Sequence, residues 1–137
     1  MTNQIQIYFA FALVVIFGIL VLVAISRRRQ KLPKRDMDFI ISQWKEINSR
    51  VSLDPKHSLI EADKLVDFTL KKKGYTGSFG DKLKTAEKAF SNIDAIWAAH
   101  KLRNNLVHQV GFTVNEGQVR GALFAFKKAL SDLGVKI

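Results

Sequence analysis

The chain has no cysteine among its 137 residues. Disulfide bonds, thiolate metal sites and catalysis by a cysteine thiolate are therefore excluded. No segment shows a convincing succession of strands, and no internal repeat is visible. These absences favour an all-α protein whose functional groups come from other residue types.

Charge is also missing from the start of the chain, because residues 1–26 hold no charged side chain. Residues 5–25 are almost wholly apolar, and as a helix they would extend about 31 Å, the thickness of a bilayer's hydrocarbon core. A cleaved signal peptide would need a basic start, a shorter apolar core and a small-x-small cleavage site. We therefore predict an uncleaved transmembrane anchor over residues 1–25, with the span at about 5–25.

A basic segment follows the apolar one, with six cations and no acid in residues 26–35. By the positive-inside rule such a flank stays in the cytoplasm. We predict a single-pass cell-membrane protein with its N-terminus outside and its C-terminal domain in the cytoplasm. The flank can also bind the anionic headgroups of the lipid bilayer. Its cations are Arg27, Arg28, Arg29, Lys31, Lys34 and Arg35.

Residues 26–35, which include Pro33, are predicted to link the anchor to a helical domain over residues 36–137. That domain carries 16 Lys and Arg against 12 Asp and Glu, an excess that permits RNA binding without requiring it. Apolar residues recur at helical spacing, most clearly from Val119 to Leu133. We expect a bundle of four or five helices, with Trp44 and Trp97 in its core.

Helix boundaries are indicated by capping residues. Asp54 followed by Pro55 predicts a helix start, and the sequence from Ser91 to Asp94 has the form of a capping box. Asn115 is the expected N-cap of the last helix.

The stretch AHKLRNNLVHQVGF, residues 99–112, is unusually polar for a helix in this chain. His100, Asn104 and His108 are spaced i, i+4, i+8 and would form one polar stripe. His100 and His108 would lie two turns apart, roughly 12 Å, which is too far to share one metal ion. We expect neither a metal nor another cofactor here.

The segment RNNLVH, an arginine followed by asparagine and then by a histidine five residues after the arginine, resembles the signature of the HEPN superfamily. These are small helical-bundle domains, many of them metal-independent endoribonucleases that act as homodimers. The resemblance implies catalytic roles for Arg103, Asn104 and His108, supported by His100, and RNA as substrate. Toxin-like members of this superfamily are held in check by a partner, so the resemblance also implies an inhibitory protein partner. IEADKLVDFTLKKKGYTG and IWAAHKLRNNLVH also resemble short anchored proteins of unassigned function from reduced bacterial genomes.

The chemistry expected of this motif is RNA cleavage by the 2′-hydroxyl, which leaves a 2′,3′-cyclic phosphate. A histidine would transfer the proton, and an arginine would stabilise the charge growing on the phosphate. Five residues rotate a helix by about 500°, so Arg103 and His108 would point about 140° apart. A site therefore needs either a break in the helix or a second copy of the chain.

A structural interpretation stays open beside the catalytic one. Arg103 and His108 can interact with the carbonyl groups at the helix end. One of three acids, Glu61, Asp63 or Asp67, could instead pair with Arg103 inside the bundle. The domain would then be a non-catalytic interaction or dimerisation module that keeps the motif for its structure.

Overall fold

The computed structural model describes residues 2–28 and 31–137, with side chains for residues 3–23 and 31–137. Every regular element within this part of the chain is a helix, as the sequence predicts. The chain divides into two compact units, Met1–Lys31 and Leu32–Ile137. Each unit is described by itself.

The first unit contains one helix, α1, over Thr2–Arg28. Its segment Asn3–Val23 is 21 residues long, apolar enough to cross a membrane, and exposed throughout. A signal sequence has the same character, so the established property is the length and apolarity of the helix. Of the predicted basic flank, Arg29 and the side chains of Arg27 and Arg28 lie outside the described residues.

The second unit is a helical bundle, as predicted. Among the described residues it contains five α-helices and one short 3-10 segment. The helices are α2 (Lys34–Arg50), α3 (Pro55–Lys72), α4 (Phe79–Thr85), α5 (Ile93–His108) and α6 (Glu116–Asp132), and the 3-10 segment is Glu87–Ala89.

Side-chain caps start most of these helices. Asp54 accepts a hydrogen bond from the backbone N–H of His57 (3.0 Å) at the start of α3, which confirms its predicted role. Ser78 with Asp81 forms a capping box at α4. Such caps satisfy N–H groups that have no partner inside the helix. Asn115 caps α6 in the same manner, as expected.

The predicted capping box at Ser91 and Asp94 is wrong. The N-cap of α5 is the next residue, Asn92, whose side chain accepts a hydrogen bond from the N–H of Ala95 (3.0 Å). Ser91 instead donates from both its N–H and its hydroxyl to the carboxylate of Asp132, at 2.8 Å each. Ser91 is therefore used to join the start of α5 to the end of α6.

Polar contacts define the two ends of the bundle. At one end, an ion pair joins Lys72 of α3 to Asp36 of α2 (3.2 Å), and Lys73 donates to the carbonyl of Leu133 after α6 (2.9 Å). We call this the linker end, because residues 31–33 lead into it. At the far end, Ser52 donates to Glu116 at the start of α6 (3.0 Å). Helices α2 and α5 therefore run away from the linker end, and α3 and α6 return to it.

The core of the bundle is formed where α3 packs against α2, α5 and α6. Trp44 is buried, as predicted, and Trp97 is partly buried against the core. The apolar stripe predicted for the last helix is confirmed, since Val119, Phe126 and Leu133 are all buried. Every buried core residue lies between Ile40 and Val135. Residues 32–137 thus form a compact unit with a hydrophobic core of its own, which is what a domain needs in order to fold alone.

Candidate functional site

A buried carboxylate interrupts the apolar face of α3. On α3, Asp63 lies among buried Leu59, Ala62 and Val66 and is only 3% exposed. A buried carboxylate is unfavourable unless it is paired and hydrogen-bonded. Its partners come from α5, which packs against α3.

The carboxylate of Asp63 engages two side chains of α5. Its Oδ1 lies 2.7 Å from Nδ1 of His100, and its Oδ2 lies 3.5 Å from Nε of Arg103. The His100 and Arg103 side chains are themselves only 14% and 22% exposed. The three groups form a largely buried acid–base cluster.

Asn104 connects the two basic partners to each other. Its Oδ1 accepts a hydrogen bond from Nη1 of Arg103 (2.9 Å), and its amide nitrogen lies 3.0 Å from Nε2 of His100. These directions fit a neutral imidazole, with the proton on Nδ1 donated to Asp63 and the lone pair on Nε2 facing the Asn104 amide. The hydrogen bonds therefore run in one direction from Arg103 through Asn104 and His100 to Asp63. We call these four residues the Asp63 network.

One donor of the network has an ion-pair partner but no hydrogen bond. Nε of Arg103 is buried and makes no hydrogen bond to any described group, although Oδ2 of Asp63 is nearby. The pairing at this nitrogen is therefore electrostatic rather than hydrogen-bonded. The guanidinium is anchored mainly by Nη1 and Asn104.

Aromatic rings enclose the imidazole. The ring of Phe79 packs edge-on to His100 with the ring centroids 4.6 Å apart, and Trp97 lies at 6.2 Å. The start of α4 comes close to α5 here, because a Cβ added at Gly80 would lie 3.3 Å from the Trp97 ring. Because these aromatic rings make the surroundings of the imidazole less polar than water, they strengthen the hydrogen bonds of His100.

His108 does not join the network. It is the last residue of α5 and is exposed. The helix continues without a break from Arg103 to His108, so the two side chains leave it in different directions. A single copy of the chain does not bring Arg103 and His108 to one point. Of the four residues predicted for the site, the structure brings together Arg103, Asn104 and His100.

Two of the three acids considered as partners of Arg103 pair with lysines instead. Glu61 pairs with Lys64 on the surface (2.9 Å), and Asp67 pairs with Lys82 (2.8 Å). Across residues 2–28 and 31–137, no group of three His, Asp or Glu side chains could hold a metal ion. Lys31, Lys34 and Arg35 of the basic flank are exposed.

Sequence reasoning named Asp63 only as one of three acids that could pair with Arg103, and it did not identify Phe79. A signal for Asp63 was present, because it occupies a stripe position with Leu59, Ala62 and Val66. Charged residues on an apolar stripe are rarely buried without a partner. Phe79 follows a glycine-rich turn, and its contact with His100 depends on tertiary packing.

No family model and no solved structure matches the chain. The porphobilinogen deaminase of Bacillus subtilis (strain 168) is 30% identical over 82 residues, which are 60% of this chain and 25% of that protein. The chain thus spans about a quarter of the length of this relative, and the match does not establish a family.

Proposed function

We propose that residues 32–137 are an HEPN-like helical module that is held at the membrane by α1 and acts by binding a protein partner or a second copy of itself. In this proposal the arginine–asparagine pair of RNNLVH has a structural role. The supporting observation is the buried carboxylate of Asp63, which engages both His100 and Arg103.

The Asp63 network engages Arg103, Asn104 and His100, three of the four residues predicted for RNA cleavage. Nη1 of Arg103 donates to Asn104, and both nitrogens of His100 have partners inside the same protomer. A phosphate would have to compete with Asp63 for the guanidinium, and the negative carboxylate would repel it. The network thus favours a role in fixing α5 against α3.

The membrane location in this proposal rests on α1 and on the cations that follow it. A helix of this length and apolarity can cross the hydrocarbon core, and six cations after it favour the cytoplasm for the rest of the chain. The N-terminus would then lie outside the cell. Resistance of the full chain to alkaline extraction from membranes tests the anchor, and release by alkali contradicts it.

A metal-independent endoribonuclease is the second candidate, favoured by the exposure of His108 at the end of α5. An exposed histidine is available to a substrate and can transfer a proton near neutral pH. Because α5 is unbroken, this site would combine His108 of one protomer with Arg103 of another. It would require a homodimer, RNA as substrate and, in a toxin-like setting, an inhibitory protein partner.

Variants at Arg103 and His108 separate the two candidates. The binding-module hypothesis predicts that Arg103→Ala lowers the stability of residues 32–137 and that His108→Ala does not. It also predicts that none of the three proteins, the two variants and the unsubstituted parent, cleaves RNA. The nuclease predicts RNA cleavage by the parent and its loss in both variants, including His108→Ala, whose stability stays close to that of the parent. Unfolding curves and a cleavage assay in the presence of a chelator give both readouts on the same samples.

A further inference from the structure

A basic surface forms at the linker end of the bundle from two segments that are far apart in sequence. Lys34 and Arg35 begin α2, while Lys71 and Lys72 end α3, and all four side chains are exposed. The ion pair between Lys72 and Asp36 (3.2 Å) places the two segments side by side. We call these four residues the linker-end patch.

Few acids offset this patch. Asp36 is already paired with Lys72, and Asp132 is paired with Lys128 (2.7 Å) and bonded to Ser91. Asp38 near the start of α2 and Asp94 in the first turn of α5 are further exposed acids at this end. Among the described residues, Lys34, Arg35 and Lys71 have no carboxylate within ion-pair distance, so their charges are available to a ligand.

The far end of the bundle differs in charge. Two of its cations are paired with acids, Arg50 with Glu46 (3.0 Å) and Arg120 with Glu116 (2.6 Å), and Lys56 is exposed there. About 27 Å of helix separates the two ends, from the length of α3 at ~1.5 Å per residue. The charge of the domain is thus polarised along its length.

The patch follows α1 closely in sequence. Residues 29–33 separate the end of α1 from the start of α2. Lys34 and Arg35 therefore come only a few residues after the helix that is proposed to enter the bilayer. This step depends on the anchoring role proposed for α1.

We propose that the linker-end patch docks the domain on the anionic lipid headgroups of the membrane that holds α1. Exposed lysines near an anionic surface are attracted within a Debye length. The occupant is the lipid surface rather than RNA, because the cations lie at the end tethered to the bilayer. Docking leaves the far end, with His108, directed away from the membrane.

The test uses residues 32–137, which carry the patch and the complete core but lack α1. Flotation measures their partition onto vesicles of phosphatidylcholine alone and of phosphatidylcholine with about one third phosphatidylserine. We expect binding only to the second. Each patch lysine removed lowers the partition coefficient about fivefold, so Lys34→Gln with Lys71→Gln lowers it about 25-fold.

A matched double variant removes the same charge elsewhere. Lys56 lies in the first turn of α3 at the far end, Lys101 lies on α5, and both are exposed. Lys56→Gln with Lys101→Gln should leave the partition coefficient within about twofold. Equal losses from both double variants, or equal binding to the two vesicle types, would overturn the proposal.

A third measurement is the binding of a single-stranded RNA to residues 32–137. If residues 32–137 bind the RNA through Lys34 and Lys71 and do not bind the anionic vesicles, the patch is a nucleic-acid surface and the proposal is wrong. The outcome is separable from the anchor, because residues 32–137 lack α1 and the vesicle assay measures only what these residues bind. Release of the full chain by alkali would contradict the anchor, whereas the vesicle result alone decides whether the patch binds anionic lipid.

Discussion

Oδ1 of Asp63 lies 2.7 Å from Nδ1 of His100 inside the bundle, and the other carboxylate oxygen faces Arg103. This relationship joins the middle of α3 to the middle of α5. It also gives Arg103 of the RNNLVH segment a structural partner inside the bundle, whereas His108 of the same segment lies outside the Asp63 network.

Asp63→Asn should lower the free energy of unfolding by about 2–3 kcal/mol, because it leaves a largely buried guanidinium without its counter-ion. Urea unfolding of residues 32–137 measures the change. Glu61→Gln is the control on the same helix, since its pair with Lys64 is on the surface and contributes less than about 0.5 kcal/mol. Equal effects of the two substitutions would show that Asp63 has no special role.

A double-mutant cycle between Asp63→Ala and Arg103→Ala should give a coupling energy of about 1–3 kcal/mol, because removal of either partner leaves the other charge unpaired. The same cycle between Asp63→Ala and His108→Ala should give less than about 0.5 kcal/mol, since His108 is exposed and outside the network. The four free energies of each cycle come from urea unfolding. Coupling to His108 as large as that to Arg103 would contradict the described geometry.

Ser78→Ala should raise the pKa of Asp81 towards its ordinary value. Hydrogen bonds from the Ser78 hydroxyl and backbone N–H lower that pKa in the folded protein. A depressed carboxyl pKa stabilises the fold above the unfolded value, and the contribution is lost as the pH falls through the folded value. Removing the Ser78 hydroxyl therefore weakens this pH dependence on the acid side. NMR titration of the Asp81 carboxyl follows the pKa, and an unchanged value would contradict the assigned cause.

Asn92→Ala should lower the stability of residues 32–137 by about 1 kcal/mol, because the N–H of Ala95 loses its cap. Ser91→Ala should instead act on Asp132. Burial raises the pKa of Asp132, but hydrogen bonds from Lys128 and Ser91 outweigh it and hold the pKa below its ordinary value. The Asp132 pKa should rise in Ser91→Ala and stay in place in Asn92→Ala. A rise of the Asp132 pKa in Asn92→Ala but not in Ser91→Ala would contradict this assignment and favour Ser91 as the cap.

The helical architecture could be predicted because its signals are local. The apolar stripe from Val119 to Leu133 and the caps Asp54 and Asn115 depend on residues within one or two turns. The cap at Ser91 was misassigned because Ser91 and Asn92 are both good capping residues. Its use depends on Asp132, which is 41 residues away in sequence.

The site was only partly predictable for a similar reason. The spacing of His100 and Asn104 indicated that they share a face, and they are in contact. The identity of the acid beside Arg103 depends on how α3 is rotated against α5, which no local pattern determines. Helix geometry predicts that the side chains of Arg103 and His108 point in different directions. The structure agrees, because α5 is unbroken between these two residues.

The most direct test of the structural role of the motif is RNA cleavage measured beside stability, on the parent residues 32–137 and on Arg103→Ala, with a chelator present. We predict no cleavage by either protein and a clearly lower free energy of unfolding for the variant. Cleavage by the parent with 2′,3′-cyclic phosphate ends, abolished in Arg103→Ala without loss of stability, would contradict the account.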